Sequence, residues 1–260
     1  MIETPKYQVP ALEKGLDILE CLAARGIPMT QAQIARALNR GPNELFRMLV
    51  CLEQRGYVRR EPVSGAYSLT LRLFTLSHTH TPLEGLLRAA GPPMRDLATT
   101  IGESCHLGVL HGGDLLVIAQ EESSRQLRLS IEVGATFPLL QTASGRLLLA
   151  NLAPDEREAV LHDNADYVVL GLGERVALAE RLAAIRAQGY EEAYAETTEG
   201  VHDHTVLVGR PETAVQAALT IASLSRTRHA RSADLVQALQ RCAAEIAHAA
   251  GLLALNGEQL

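Results

Sequence analysis

Asn43, Glu44, Phe46 and Arg47 stand close together between Gly41 and Gly56, and their side chains match the edges of nucleic-acid bases. An arginine can grip guanine or a phosphate with two parallel bonds, and an asparagine can read adenine. A glutamate can accept from the amino group of cytosine, and a phenyl ring can meet the thymine methyl. Glu44 has a second reading: a carboxylate near phosphates opposes binding and can instead hold Arg40 or Arg47 in position. Arg59, Arg60 and Ser64 follow shortly after and suit phosphate oxygens, which set register without reading sequence.

A second group of chemically capable residues lies downstream. Thr142, Ala143, Ser144 and Gly145 stand at a predicted helix start, where unpaired backbone N–H groups suit a carboxylate or another electron-rich group. His202 and His204, two apart on a predicted strand, share a face and can ligate a metal. No third ligand is evident, so surface or packing roles are expected and no metal or cofactor is assigned. Cys105 and His106 are neighbours on another predicted strand, so their side chains diverge and cannot pair as nucleophile and base. With no GxSxG, P-loop or dinucleotide fingerprint, the chain is not expected to be an enzyme.

The 260 residues are 47% hydrophobic but only 3% aromatic, without tryptophan, so the cores must be built from Leu, Ala, Val and Ile. Net charge is −6, unevenly spread: up to His80 ten basic side chains face seven acidic ones, a net +3, and the remainder carries −9. A basic head on an acidic body is the pattern of a phosphate-binding module joined to something else. Cys21, Cys51, Cys105 and Cys242 are scattered, with no CxxC pair, which argues against a disulfide framework or zinc finger. Met1–Pro10 lacks an apolar signal core, and no apolar run approaches the roughly 18 residues of a membrane span. A cytoplasmic protein with no membrane partner is expected.

These residues need elements to hold them. Leu12, Leu16, Leu19, Leu22 and Ala23 mark one face of a helix over 11–25 that stops at Gly26. Thr30 and Gln33 form a capping box opening a short second helix through Leu38. Asn43 is read as the cap of a third helix whose inner face is Leu45, Met48, Leu49 and Leu52. Two extended stretches, 57–60 and 66–69, flank the turn-rich Glu61–Gly65. Helix, helix, turn, helix, hairpin is the winged helix-turn-helix order, with the third helix entering the major groove of DNA.

Leu71–Ser77 reads as a linking helix, and residues 78–82 as a polar break. Beyond lie a helix from Leu83 interrupted at Gly91, Pro92 and Pro93, and extended runs at 104–111, 114–121 and 126–133, the first two joined by Gly112 and Gly113. Helices at 143–150, 154–162 and 174–188 precede strands near 190–195, 201–209 and 215–222, and a strongly amphipathic helix over 232–253 closes the chain. The fold class is α+β with an antiparallel sheet. The expected domains are a winged helix-turn-helix over 1–70, a linker over 71–82 and a second domain over 83–260.

Several separated stretches resemble the IclR family of transcription regulators from Ala11 to about Leu252. They are ALEKGLDILECLA, LFRMLVCLEQRGYVRR, YSLTLRLFTL, GESCHLGVL, VGATFPLLQTASGRLLLA, IRAQGY and EGVHDH. The resemblance implies operator DNA as partner, dimers or tetramers of the chain, and a GAF-like domain over 83–260 that binds a small-molecule effector. It departs from the family pattern at Asn43 and Glu44 for Ser-Thr, Arg146 for Lys, Ala193 for an acid and Leu207 for Pro.

The resemblance assigns effector contacts to Val201 and Asp203 on one strand, Thr220 and Ala222 on the next, Gln126 on the third extended run, and the loop residues Ala143, Ser144 and Gly145. Each strand pair is two apart and so points to one face. A carboxylate at Asp203 favours a ligand with a hydroxyl, amine or amide donor, such as a hydroxylated organic acid or aromatic whose own carboxylate meets the loop amides. Two other readings stay open: an enzyme using the pocket, and an interaction protein whose winged helix binds protein. Salt-dependent DNA binding separates the latter from a DNA reader.

Overall fold

Helix α1 (Pro10–Arg25) turns Ile18 and Leu22 inward and ends where Gly26 adopts φ 64°, a left-handed stop that suits glycine. In the computed structural model, which describes residues 9–78, 82–211, 215–224 and 232–252, the chain divides into two units, Met1–Thr81 and Pro82–Leu260.

In the first unit a two-residue strand β1 (Met29–Thr30) leads into α2 (Gln31–Ala37). The capping box is present: the Thr30 amide donates to Gln33 Oε1 at 2.7 Å, and the Gln33 amide to Thr30 Oγ1 at 3.4 Å. Asn39, at φ 51°, turns the chain toward α3 (Pro42–Gln54). The cap of α3 is Gly41, not Asn43, because Pro42 with its fixed φ opens the helix one residue earlier. Asn43 therefore sits inside the first turn.

Strands β2 (Val58–Arg60) and β3 (Ala66–Leu69) form the hairpin, with β1 adding to the far side of β3. Ile18, Leu22, Ile34, Leu45, Leu49, Val58 and Tyr67 make the core. The short α4 (Arg72–His78) closes the unit. Of the expected polar break, residues 79–81 lie outside the described residues.

The second unit opens with α5 (Pro82–Ile101), one continuous helix where a break at Gly91–Pro93 was expected. Leu86, Ala90, Met94, Leu97 and Ala98 form an unbroken buried stripe across the prolines, and Pro92 faces solvent; packing of that stripe outweighs the local penalty. Strands β4 (Ser104–His111) and β5 (Asp114–Glu121) form the hairpin read from sequence. The run at 126–133 is not a strand. The third strand is β6 (Thr136–Pro138), because the Val117 amide and carbonyl bond Ala135 and Gly134, leaving 126–133 as an irregular segment.

Next come α6 (Ala143–Asn151), α7 (Pro154–Asp163), the single-turn α8 (Ala165–Val168) and α9 (Leu172–Gln188). Strands β7 (Tyr190–Tyr194), β8 (Val201–Val208) and β9 (Ala217–Leu224) precede α10 (Ser232–Ala249). The sheet is antiparallel throughout, in the order β6-β5-β4-β9-β8-β7.

Alternation along the strands splits the sheet into two faces. Leu107, Val206, Val208, Leu219 and Ile221 pack against α5 and α10, whose contributions include Met94, Leu239 and Ile246. On the other face, Leu115 and Ala218 meet Leu147 and Leu148 of α6, backed by Leu182 and Ile185 of α9. The α6 side does not close completely toward the ends of β8 and β9, and a cavity remains there.

Candidate functional site

The outer face of α3 is set by its inner one. Leu45 and Leu49 are fully buried, so Asn43, Glu44, Phe46 and Arg47 are turned out, with Phe46 half exposed. Arg47 has no hydrogen-bond or ion-pair partner among the described residues and is free to take guanine or phosphate. Glu44 is held, but not by Arg40 or Arg47. Lys14 of α1 donates to its Oε2 at 3.0 Å, and its Oε1 accepts from the Gly41 amide at 3.4 Å. The Lys14 bond, then the Gly41 amide, keep its carboxyl below the ordinary glutamate value. Arg40 instead pairs with Asp17 of α1 at 2.9 Å.

In the wing, Arg59 Nε donates to Ser68 Oγ at 3.1 Å, and the Arg60 guanidinium lies 5.7 Å above the centre of the Tyr67 ring. Ser64 is committed to the turn: its hydroxyl donates to Glu61 and accepts from the Ala66 amide at 3.2 Å. Val63, at 95% exposure, is the tip.

The cavity of the second unit, about 590 Å³, falls in the size range of small-molecule pockets. Val201, Asp203, Thr220, Ala222, Ala143 and Ser144 line it; Gln126 and Gly145 do not. Gln126 lies exposed in the irregular segment, and Leu129 and Ile131 of that segment reach the cavity in its stead. Gly145 has a packing role. A Cβ there would lie 2.0 Å from the Leu139 carbonyl oxygen, and its amide already donates to Thr142 Oγ1 at 3.1 Å. The amides left for a ligand are those of Ala143 and Ser144, which have no partner within the helix.

Polar groups in the wall are arranged in two sets. Ser144 Oγ lies 2.7 Å from Thr220 Oγ1, the Thr220 hydroxyl donates to Thr205 Oγ1 at 2.8 Å, and the Thr205 hydroxyl donates to the Leu219 carbonyl at 3.2 Å. Beside them, buried Arg146 holds Glu191 at 3.1 Å and Glu196 at 2.6 Å, and Arg181 joins both carboxylates. Glu196 reaches the cavity wall paired with both arginines. Asp203 has no such clamp: burial, then the charge of Glu196, push its pKa up to about 6 against the pull of Arg146.

Sequence reasoning missed His106 and Glu196 as cavity residues. His106 pairs with Thr220 in the β4–β9 register and so shares its face. Burial drives its pKa down to about 4, making it a neutral imidazole in the wall. The only signal available was strand parity, once the partner strand was known. Cys105 points the other way, its thiol donating to the Met94 carbonyl at 3.5 Å, with burial raising its pKa to about 12.

Two family models match the chain: the helix-turn-helix domain of IclR over residues 11–62, and the C-terminal domain of the bacterial transcriptional regulator IclR over residues 79–248. The regulator XynR of Escherichia coli is 27% identical over 246 residues, covering 94% of this chain and 98% of that protein. The glycerol operon regulatory protein of Streptomyces coelicolor is 30% identical over 253 residues, covering 94% and 97%. An IclR homologue from Microbacterium hydrocarbonoxydans, solved with 4-hydroxybenzoate, superposes with a TM-score of 0.76 at 22% identity, covering 93% of this chain and 99% of that one.

Proposed function

The chain belongs to the IclR family of bacterial transcriptional regulators, and on that premise we propose that it reads operator DNA with the outer face of α3 and answers to a hydroxylated organic acid or aromatic in its cavity. It is a DNA-binding regulator with an effector-binding C-terminal domain. Arg47 and Asn43 supply the base contacts, with Phe46 against a thymine methyl, while Arg59 and Arg60 hold phosphates. The Lys14 and Gly41 bonds favour Glu44 as a brace for the start of α3 rather than a reader of cytosine. Arg40, tied to Asp17, sets the approach of α1 to α3 and lends its charge to the backbone. The Ser64 hydroxyl, spent within the wing, leaves only the Ser64 backbone for phosphate.

A head of net +3 neutralises few phosphates, so tight operator binding needs two heads on one site, and the chain works as a dimer or tetramer. A DNA partner favours a cytoplasmic protein; no helix among the described residues is long and apolar enough to cross a membrane. This reading is of a regulator rather than an enzyme, and it is in keeping with Cys105 and His106 lying on opposite faces of the sheet, where they do not pair.

The observation that carries the effector reading is the opposition of two unlike ends in one cavity. The free amides of Ala143 and Ser144 suit a carboxylate, and Asp203 suits a donor such as a hydroxyl. The test is release of the protein from DNA flanking its own gene by a panel of organic acids and phenols, beginning with 4-hydroxybenzoate, the compound bound by the Microbacterium homologue. Asp203→Ala should abolish the response to the active compound while leaving operator binding intact. An unchanged response removes Asp203 from the site.

A further inference from the structure

The face of β8 turned away from the cavity carries a feature that the regulator's effector response does not use. The β7–β8 register sets Glu192 opposite His204 and Tyr194 opposite His202. The two imidazoles, two residues apart on one strand, stack at 4.2 Å between ring centres, and His202 Nε2 lies 3.9 Å from Glu192 Oε2. One ligand atom from each of the three side chains lies within 4.8 Å of the others. The third group, invisible in the sequence because it sits on the neighbouring strand, is supplied by register.

We propose that Glu192, His202 and His204 form a binding site for a divalent transition-metal ion of the zinc class, on the sheet face opposite the effector cavity. Two imidazoles and one carboxylate are a donor set that zinc takes with a fourth position left for water. The nitrogen donors select against magnesium and calcium, which prefer oxygen alone.

A second observation comes from His204, which is 2% exposed and whose buried Nδ1 has no hydrogen-bond partner. A buried polar atom left unpaired is costly in a native protein, and a bound ion is one way to satisfy it. Its other nitrogen lies 3.2 Å from Ser232 Oγ at the start of α10, and the Ser232 hydroxyl donates to Glu192 Oε1. Those bonds orient the imidazole and one carboxylate oxygen, the supporting role that residues around a metal site play.

Ligand atoms about 2.1 Å from a tetrahedral ion lie about 3.4 Å apart. The present spacing closes to that by rotation of His202 and Glu192, each about one third exposed, around a fixed His204. Val201 and Asp203 project from the same strand into the cavity, so the ion would grip β8 from behind the effector site.

The full-length chain, stripped with chelator and dialysed, is titrated with zinc chloride by calorimetry and with Co2+ by visible absorption, beside the variants His202→Ala and Glu192→Gln. One equivalent per chain, with the d–d bands of tetrahedral Co2+, is expected for the wild type. Each variant should keep the wild-type circular dichroism, lose those bands and bind zinc at least about tenfold more weakly. No stoichiometric zinc binding by the wild type, or the same affinity and Co2+ spectrum in both variants, overturns the proposal.

Discussion

On α3 the groups proposed to meet a partner fall within Asn43–Arg47 and face solvent, whereas around the cavity they run from His106 to Ala222, several of them held by buried bonds. The first arrangement is local: one helix, capped by Gly41 and packed through Leu45 and Leu49, presents the side chains proposed to read DNA together. The second exists only when β4, β8, β9 and α6 have assembled, and Ser144, Thr220 and Glu196 of its wall are tied to neighbours from distant parts of the chain. A change in the head should therefore alter a contact and leave the fold, while a change at one of these tied or tightly packed wall positions should alter the fold and the contact together.

That contrast can be broken most forcefully at Gly145. A methyl group there collides with the Leu139 carbonyl, and Gly145→Ala should destabilise the second unit by about 3 kcal/mol or more, measured by chemical denaturation. Normal stability with selective loss of ligand response would return Gly145 to the role of a ligand contact. Next is Arg47→Ala, which should weaken operator binding by about 1–3 kcal/mol per half-site, about fivefold to 150-fold, with an unchanged melting temperature. A lowered melting temperature, or operator affinity equal to wild type, would undo the picture of a purely presenting helix.

A smaller effect comes from pH. His106 is neutral in the folded chain, with a pKa near 4, and titrates near 6.5 when unfolded, so the unfolded state gains the proton first on acidification. The stability it contributes is full above pH 6.5 and is lost as pH falls toward 4, by about 2 kcal/mol at most between pH 7 and pH 5. Denaturation at both pH values should show that loss in the wild type and a smaller one in His106→Asn. Equal losses would mean that His106 is not the buried group it is taken for. The smallest change is expected for Glu44→Gln, which keeps the side-chain bond to the Gly41 amide and loses only the exposed pairing with Lys14. Operator affinity should shift by no more than about threefold. A larger, sequence-dependent loss would make Glu44 a reader of cytosine.

The same contrast governs how far the sequence could be read. The capping box of Thr30 and Gln33, the inner face of α3 and the bounds of β4 and β5 all follow from signals a few residues long, and the structure has them. The break assigned to Pro92 and Pro93 fails because local proline chemistry is outvoted by a stripe buried against the sheet and α10, which no local window contains. The strand assigned to 126–133 fails for a related reason: β-prone residues are present, but Val117 takes its partners from Gly134 and Ala135. In the cavity, Val201, Asp203, Thr220 and Ala222 were accessible through the family resemblance, with strand parity placing each pair on one face. Glu196 and His106 were not, because their place depends on the Arg146 cluster and on the β4–β9 register.

The hydroxyl chain behind the cavity has a direction. Each hydroxyl owns one hydrogen: Thr205 spends its own on the Leu219 carbonyl and Thr220 spends its own on Thr205, so the bond between Ser144 and Thr220 can be made only with the hydrogen of Ser144. Ser144 thus shows the cavity a lone pair at its side chain and an N–H at its backbone, an acceptor and a donor on one residue. In the proposed reading a compound that fits answers both, which would sort acids bearing a hydroxyl or a protonated edge from simple anions of the same size. The choice is made by Thr205, which is absent from the cavity wall and one hydrogen bond removed from Thr220, which lines it.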